Sequence, residues 1–211
     1  MKLDSVRREY KYDTLDIHQI PDNPLHLFSK WMDNAITAKV IEPTAMVVST
    51  IGVNGFPQSR IVLLKDFSDS GFIFFTNYDS DKGKAIMLNS SVSLLIFWPE
   101  LERQIRIAGY AEKTSAELSD QYFHSRPLLS QAAAIASNQS QKIISRDILE
   151  DRFNELTKAL PEKNFDRPEH WGGFLVKPVK IEFWQGRENR LHDRILYEKN
   201  GENWQISRLA P

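Results

Sequence analysis

The spacing of hydrophobic and polar positions changes several times along the chain, and each change marks an element. Residues 1–20 are mostly polar, lack a clear period and read as a mobile arm. Asn23-Pro24 sets a capping residue before a first-turn proline, and Leu27, Phe28, Trp31, Met32 and Ala35 then recur at helical spacing. Ala45 to Val53 is rich in β-branched residues and predicts a strand, followed by the hairpin signal Asn54-Gly55. The return strand runs from about Gln58 to Lys65. Its centre, Ile61 to Leu64, is continuously apolar, so both of its faces are expected to be covered. A third strand spans Gly71 to Thr76, a short helix starts at Ser80 and ends near Asn89, and two strands, Val92–Trp98 and Arg103–Glu112, join around Pro99.

Beyond them Thr114-x-x-Glu117 has the form of a capping box and opens a helix that must stop near Pro127. Pro127 to Ala136 predicts an Ala-rich second helix. Ser145 stands where it can cap a third, with Leu149, Phe153, Leu156 and Leu160 along one face and Pro161 at its end. A polar loop leads to Trp171-Gly172-Gly173, then to a strand from Phe174 to Trp184. Last comes a hairpin that turns at Asn200-Gly201 and returns over Trp204–Leu209. Roughly six to eight strands cluster at the start and end of the chain rather than alternating with helices. That favours an α+β fold, an antiparallel barrel with helices packed outside, over a parallel doubly wound sheet. Residues 21–211 read as one domain.

Composition narrows the chemistry. A net charge of -1 over 211 residues argues against a nucleic-acid partner held by a broad basic surface. With no cysteine there is no disulfide, thiolate metal site or dithiol couple. The N-terminal stretch is charged and lacks an apolar signal core, and no apolar run reaches membrane-spanning length, so a cytoplasmic location without membrane attachment is expected. Gly-x-Gly-x-x-Gly, the Gly-Lys-Ser/Thr phosphate loop, His-Glu-x-x-His and Gly-x-Ser-x-Gly are all missing, and the five histidines lack metal-ligand spacing.

What remains is a set of polar residues at the ends of apolar strands. Arg60 opens and Lys65 closes a greasy strand; their odd separation puts them on opposite faces of a regular strand, serving two ligands or two ends of one cavity. Tyr122 and Arg126 lie one helical turn apart, and Ser130 follows beyond the proline. From Ile181 to Arg194 a strand pattern breaks at Gly186. Arg190, His192 and Arg194 then recur at every second position, on one face of an extended chain. Such a face repels itself unless an anion lies across it; a solvated edge strand guarded by charge is the equal alternative.

Eight blocks taken together are more specific than any of these features alone. They are Arg60–Lys65, Phe74–Asn77, Leu101–Gln104, Tyr122–Pro127, Trp171–Phe174, Ile181–Gly186, Arg190–Arg194 and Arg208–Pro211. They closely resemble the pyridoxine/pyridoxamine 5'-phosphate oxidases, in order, from about Arg7 to the last residue. The resemblance implies a split β-barrel acting as a homodimer, with flavin mononucleotide (FMN) at the subunit interface. It implies oxidation of pyridoxamine or pyridoxine 5'-phosphate to pyridoxal 5'-phosphate, with O2 as acceptor and H2O2 as product.

Carried over by position, the FMN contacts would be Arg60, Ile61, Val62, Leu63, Leu64, Lys65, Phe75, Thr76, Lys82, Gln104, Gln139, Ser140, Trp184 and Arg194. The substrate phosphate would meet Lys65, Tyr122, Arg126 and Ser130. Arg190, Leu191 and His192 would lie at the substrate ring, with Arg190 and His192 in the catalytic role. Arg7, Arg8, Glu9 and Tyr10 match a segment that closes over bound substrate. Asp81 departs from the pattern, because the family usually has arginine beside the lysine matched by Lys82. A flavin reductase and a non-catalytic flavin or pyridoxal phosphate binder are the competing readings. The Tyr122/Arg126/Ser130 set argues against the first, and Arg190 with His192 against the second.

Overall fold

Two long strands carry the architecture, β6 (Arg103–Lys113) and β7 (Trp171–Gln185), paired antiparallel from end to end. The computed structural model describes residues 8–158 and 165–211; Arg7, Leu160 and Pro161 lie outside them. Among these residues the chain forms five α-helices and nine strands. The other strands are β1 (Ala45–Ile51), β2 (Pro57–Leu63), β3 (Asp66–Ser68), β4 (Gly71–Asn77), β5 (Ser91–Trp98), β8 (Asp193–Asn200) and β9 (Asn203–Arg208). They form one antiparallel sheet in the order β2-β1-β5-β6-β7-β4-β3, with β8 and β9 added beside β7.

One edge of β7 faces β6 throughout, while its other edge is shared. Residues 171–176 pair with β4, and residues 180–185 pair with β8. The sharing needs a bend, which comes where the β6–β7 register slips between Ala108 and Gly109. A Cβ on Gly109 would lie 2.3 Å from the carbonyl oxygen of Lys177, so only glycine allows this approach. The sheet curls until its ends meet: Lys65 N–H donates to the Ile73 carbonyl at 2.8 Å, tying the chain after β2 to β4. The result is a split antiparallel barrel.

The strand pattern makes one side of this sheet a core. Ile105 and Ile107 on β6, Ile181 and Phe183 on β7, and Ile195 and Tyr197 on β8 are all buried. Helix α1 (Pro24–Thr37) starts as its sequence predicts, with Asn23 Oδ1 accepting from Leu25 N–H at 2.9 Å. It lays Phe28 edge-on to Phe67 and Phe72, and Trp31 edge-on to Phe183. Burying each such ring is worth about 1.5–3 kcal/mol. Helices α2 (Asp81–Leu88), α3 (Ala116–Ser125), α4 (Leu128–Ala136) and α5 (Arg146–Thr157) complete the outer layer.

Several local expectations are corrected. Strand β3 has no periodic signature and escapes the sequence reading. Strand β2 is an edge strand rather than a covered one: Ile61 is 70% and Leu63 36% exposed. Ser115, not Thr114, caps α3, its Oγ accepting from Leu118 N–H at 3.2 Å. Thr114 instead extends the β-ladder by donating its N–H to the Gly173 carbonyl. Ser145 precedes α5 without a side-chain capping bond. The β1–β2 turn takes residues 52–56, with Gly55 at φ 81°, whereas Gly201 at φ 60° lies in a tight two-residue turn between Asn200 and Asn203.

Candidate functional site

A cleft of about 670 Å³ opens between the end of β2, strand β4 and helices α3 and α4. Ile61, Val62, Leu63 and Lys65 line it from one side, and Phe75, Thr76 and Lys82 from another. Tyr122, Arg126, Ser130 and Gln139 close it from the helical layer. Eleven positions expected to touch ligand, spread through the first two thirds of the chain, therefore share one cavity.

Its cations are short of anionic partners. Lys82 is buried, and its Nζ reaches only neutral oxygens: Gln139 Oε1 at 2.6 Å, Thr76 Oγ1 at 3.1 Å and Ser80 Oγ at 3.3 Å. Burial, aided by nearby Arg60, pushes its pKa down to about 8, against a smaller opposing effect of Asp81. Arg126 lies over the Trp171 ring at 4.8 Å, and burial depresses its pKa. One guanidinium nitrogen, Arg126 Nη1, is buried without a hydrogen-bond partner among the described residues. A buried unpaired donor on a charged group costs free energy that an incoming acceptor recovers. Phe75, Tyr122 and Trp171 stack beside it, with 3.9 Å between the Phe75 and Tyr122 ring centres. A phosphate-bearing aromatic ligand suits these walls.

Some expected contacts lie off this cavity. Arg60 turns to the rim beside Thr50, donating to Thr50 Oγ1 at 2.8 Å and to the Gln58 carbonyl at 3.0 Å. Strand β2 ends at Leu63, so the parity argument for Arg60 and Lys65 does not apply. Leu64 is buried in the core, and Ser140 is exposed in a left-handed turn at φ 70°. Asp81 is exposed at the first turn of α2 and lines a smaller cleft with Asn54, Gln58 and Lys84.

A second cleft, of about 780 Å³, lies at the other end of β7. Arg8, Glu9 and Tyr10 line one side of it, and Trp184, Arg187, Arg190 and His192 the other. Leu191 is 70% exposed beside it. His192 Nδ1 accepts from Arg187 N–H at 3.1 Å, so the neutral ring carries its proton on Nε2. Burial and then Arg190 hold the His192 pKa below its ordinary value, which favours that neutral ring. Tyr10 meets Trp184 and His192 edge-on, each with ring centres 5.7 Å apart.

The three-cation strand face is corrected here. Glu188–Arg190 forms a 3-10 turn with Asn189 and Arg190 at φ 56° and 62°, and β8 begins only at Asp193. Arg194 is already satisfied, donating to Glu182 Oε1 and the Ala210 carbonyl, both at 2.8 Å. It belongs to a cross-strand row, Phe97–Gln104–Trp184–Arg194, on the outer face of the sheet. With Phe97 49% exposed and Ile61 and Leu63 also uncovered, this face carries apolar surface that a single chain leaves bare.

Sequence reasoning passed over Trp171 and Arg187 as site residues. Trp171 was legible only as part of the Trp171–Phe174 block ahead of a strand, because stacking partners cannot be read from spacing. Trp171 lines the first cleft, and Trp184, thirteen residues further along β7, lines the second. That is about 40 Å of strand contour. The two clefts thus lie toward opposite ends of one strand.

A family model described as pyridoxamine 5'-phosphate oxidase matches residues 32–158, and one described as the pyridoxine 5'-phosphate oxidase C-terminal dimerisation region matches residues 171–211. The chain belongs to the pyridoxamine 5'-phosphate oxidase family. It is 52% identical over 208 residues to pyridoxine/pyridoxamine 5'-phosphate oxidase 1 of Hydrogenovibrio crunogenus, covering 97% of this chain and 96% of that protein. It is 50% identical to the corresponding oxidase of Shewanella denitrificans, covering 99% of each. Among solved structures, PhzG of Burkholderia lata, in complex with tetrahydrophenazine-1-carboxylic acid, superposes with a TM-score of 0.89 at 30% identity, over 94% of this chain and 98% of that one. A pyridoxamine 5'-phosphate oxidase-related, FMN-binding protein of Nostoc punctiforme shares the fold, with a TM-score of 0.70 at 15% identity over 91% and 98% of the two chains. Among the described residues of this family member, no helix is long and apolar enough to cross a membrane.

Proposed function

We propose that this family member oxidises pyridoxamine and pyridoxine 5'-phosphates to pyridoxal 5'-phosphate with FMN and O2, as a homodimer. The observation that carries the reading is the buried, unpartnered Arg126 Nη1, in one cavity with Lys65, Tyr122, Ser130 and Lys82. Two phosphorylated ligands account for two separate cation sets: Lys82 with Arg60 for the cofactor phosphate, and Arg126 with Lys65 for the substrate phosphate. Arginine meets phosphate with parallel donors, and Tyr122 and Ser130 add hydroxyls. Arg190 and His192 line the second cleft, so a two-fold dimer that brings the first cleft of one chain to the second cleft of its partner would complete each site. FMN held there would supply the acceptor for the substrate's hydride, with O2 as the final oxidant and H2O2 as its product.

The chain's own residues bind and orient. The Phe75/Tyr122/Trp171 wall excludes water from one side. His192, neutral with its proton on Nε2, offers a donor toward the cleft, while Arg190 supplies fixed positive charge where negative charge develops. The direct test is to load the purified protein with FMN, add pyridoxamine 5'-phosphate in air, and follow pyridoxal 5'-phosphate and peroxide. A saturated flavoprotein that turned over neither phosphate would sink the proposal. A tricyclic carboxylate oxidised instead would place the activity nearer PhzG.

Two predictions concern the cofactor side. Lys82 has its pKa near 8 in the free protein, and a bound phosphate raises it, so binding takes up a proton above that pH. FMN affinity should be full below pH 8 and fall by up to about tenfold per pH unit above it. Lys82→Met should bind FMN more weakly at neutral pH and lose that dependence. Fluorescence titrations at neutral and alkaline pH check this; a flat profile in the parent would place Lys82 away from the phosphate. Asp81 is exposed, so its repulsion of a phosphate is screened. Asp81→Arg should therefore tighten FMN binding only a few-fold at low salt, roughly the worth of one surface charge. The gain should vanish at high salt, with turnover of the filled site unchanged. Identical affinities at low salt would show that Asp81 does not sense the cofactor.

A further inference from the structure

Glu102 is a buried carboxylate that neither ligand accounts for. It follows the 3-10 turn Pro99–Leu101, is 4% exposed, and has a left-handed backbone at φ 54°, a conformation seldom kept by a non-glycine residue without cause. Its Oε2 accepts the backbone N–H groups of Lys11 at 2.6 Å and Tyr12 at 2.8 Å. Its Oε1 accepts from Arg8 Nη2 at 3.1 Å. All three donors belong to the N-terminal arm, some ninety positions away in sequence.

The backbone of Glu102 grips the opposite wall of the second cleft. Its carbonyl accepts from Gly186 N–H at 2.8 Å and from Gln185 Nε2 at 3.3 Å. Gly186 is where the Tyr10 ring rests: a Cβ there would lie 2.8 Å from Tyr10 Cγ. One residue thus fixes both the floor under Tyr10 and the arm segment that delivers it. Tyr10 in turn stands edge-on to His192 and Trp184 and shares their cleft with Arg190.

Resting on the functional reading above, we propose that Glu102 is a positioning residue for substrate: its carboxylate latches the arm and so sets Tyr10 as a wall of the substrate cleft. The chemistry calls for an acceptor-only group with two oxygens, because three N–H donors converge on it. Glutamine has the same shape but turns one oxygen into a donor, so Glu102→Gln releases the latch without opening a cavity.

The test uses the full-length, FMN-loaded enzyme. Glu102→Gln should raise the KM for pyridoxamine 5'-phosphate about tenfold, with kcat and FMN content within about twofold of the parent. In a Tyr10→Ala background the same change should add nothing further, because latch and wall act as one unit. Hydrogen exchange at the Lys11 and Tyr12 amides should accelerate at least tenfold in Glu102→Gln. An unchanged KM, an equal KM increase with and without Tyr10, or protected amides in the variant would overturn the proposal. The exchange measurement needs no turnover, so it decides on the latch even if the parent proves to oxidise a different substrate.

Discussion

Arg190→Ala is expected to lower kcat on the order of a hundredfold while FMN content stays at the parent level, because a preorganised charge at the reacting centre is worth that much. Arg190 lies in the cleft of Tyr10, Trp184 and His192, away from the Lys82 set. It sits in a left-handed turn at φ 62° whose neighbour, Asp193, is held by Leu15 N–H, Arg187 and Arg208. The turn is therefore braced independently of the Arg190 side chain, and alanine should leave its course intact. Single-turnover flavin reduction measured beside FMN content checks the assignment. A variant that lost FMN but kept normal turnover per bound flavin would place Arg190 on the cofactor instead.

Arg126→Leu should have the opposite kinetic signature. Losing charge-assisted bonds to a phosphate costs roughly 3 kcal/mol, which is about a hundredfold in kcat/KM. The loss should appear in KM, because the phosphate is held equally before and during the reaction. The free protein should not suffer: Arg126 Nη1 is buried without a partner, so an apolar side chain over Trp171 removes an uncompensated donor. Thermal unfolding of the apoprotein should show a Tm equal to or above that of the parent. A marked fall in Tm with an unchanged KM would make Arg126 a structural residue.

Mixing these two variants examines the division between half-sites. If each site takes Arg126 from one chain and Arg190 from its partner, a mixed dimer holds one doubly damaged site and one intact site. Random reassociation should then restore about a quarter of the parent's sites. A mixture no more active than its components would mean that both residues of a site come from the same chain.

The elements that could be read from residue order alone are those specified by neighbours a few positions away. Asn23-Pro24 caps α1, Ser80 caps α2, and Asn200-Gly201 turns the last hairpin, each through short-range bonds and backbone preferences. The strand Arg103–Glu112 was legible for a similar reason, and β6 spans Arg103–Lys113. The eight motif blocks pointed to the family, and the two phosphorylated ligands proposed for this chain would account for the cations that gather in a chain of net charge -1.

Tertiary structure decided what depends on distant partners. An apolar run in β2 looked buried because a sequence does not say whether a second layer covers a sheet face; Ile61 and Leu63 lie on the outer face with the exposed Phe97, which the described residues leave uncovered. Arg190, His192 and Arg194 looked like one face, but the chain turns at Asn189–Arg190, and Arg194 is claimed by Glu182 on the neighbouring strand. Residue order gave no role to Glu102, whose carboxylate accepts from the amides of Lys11 and Tyr12, some ninety positions away. The separation of the two clefts follows from β7 giving one edge to β4 and then to β8, which holds Trp171 and Trp184 apart on a single strand. Local order is set by backbone and side-chain preferences within a few residues, whereas burial, pairing and the meeting of charges are set by which distant strands share an edge.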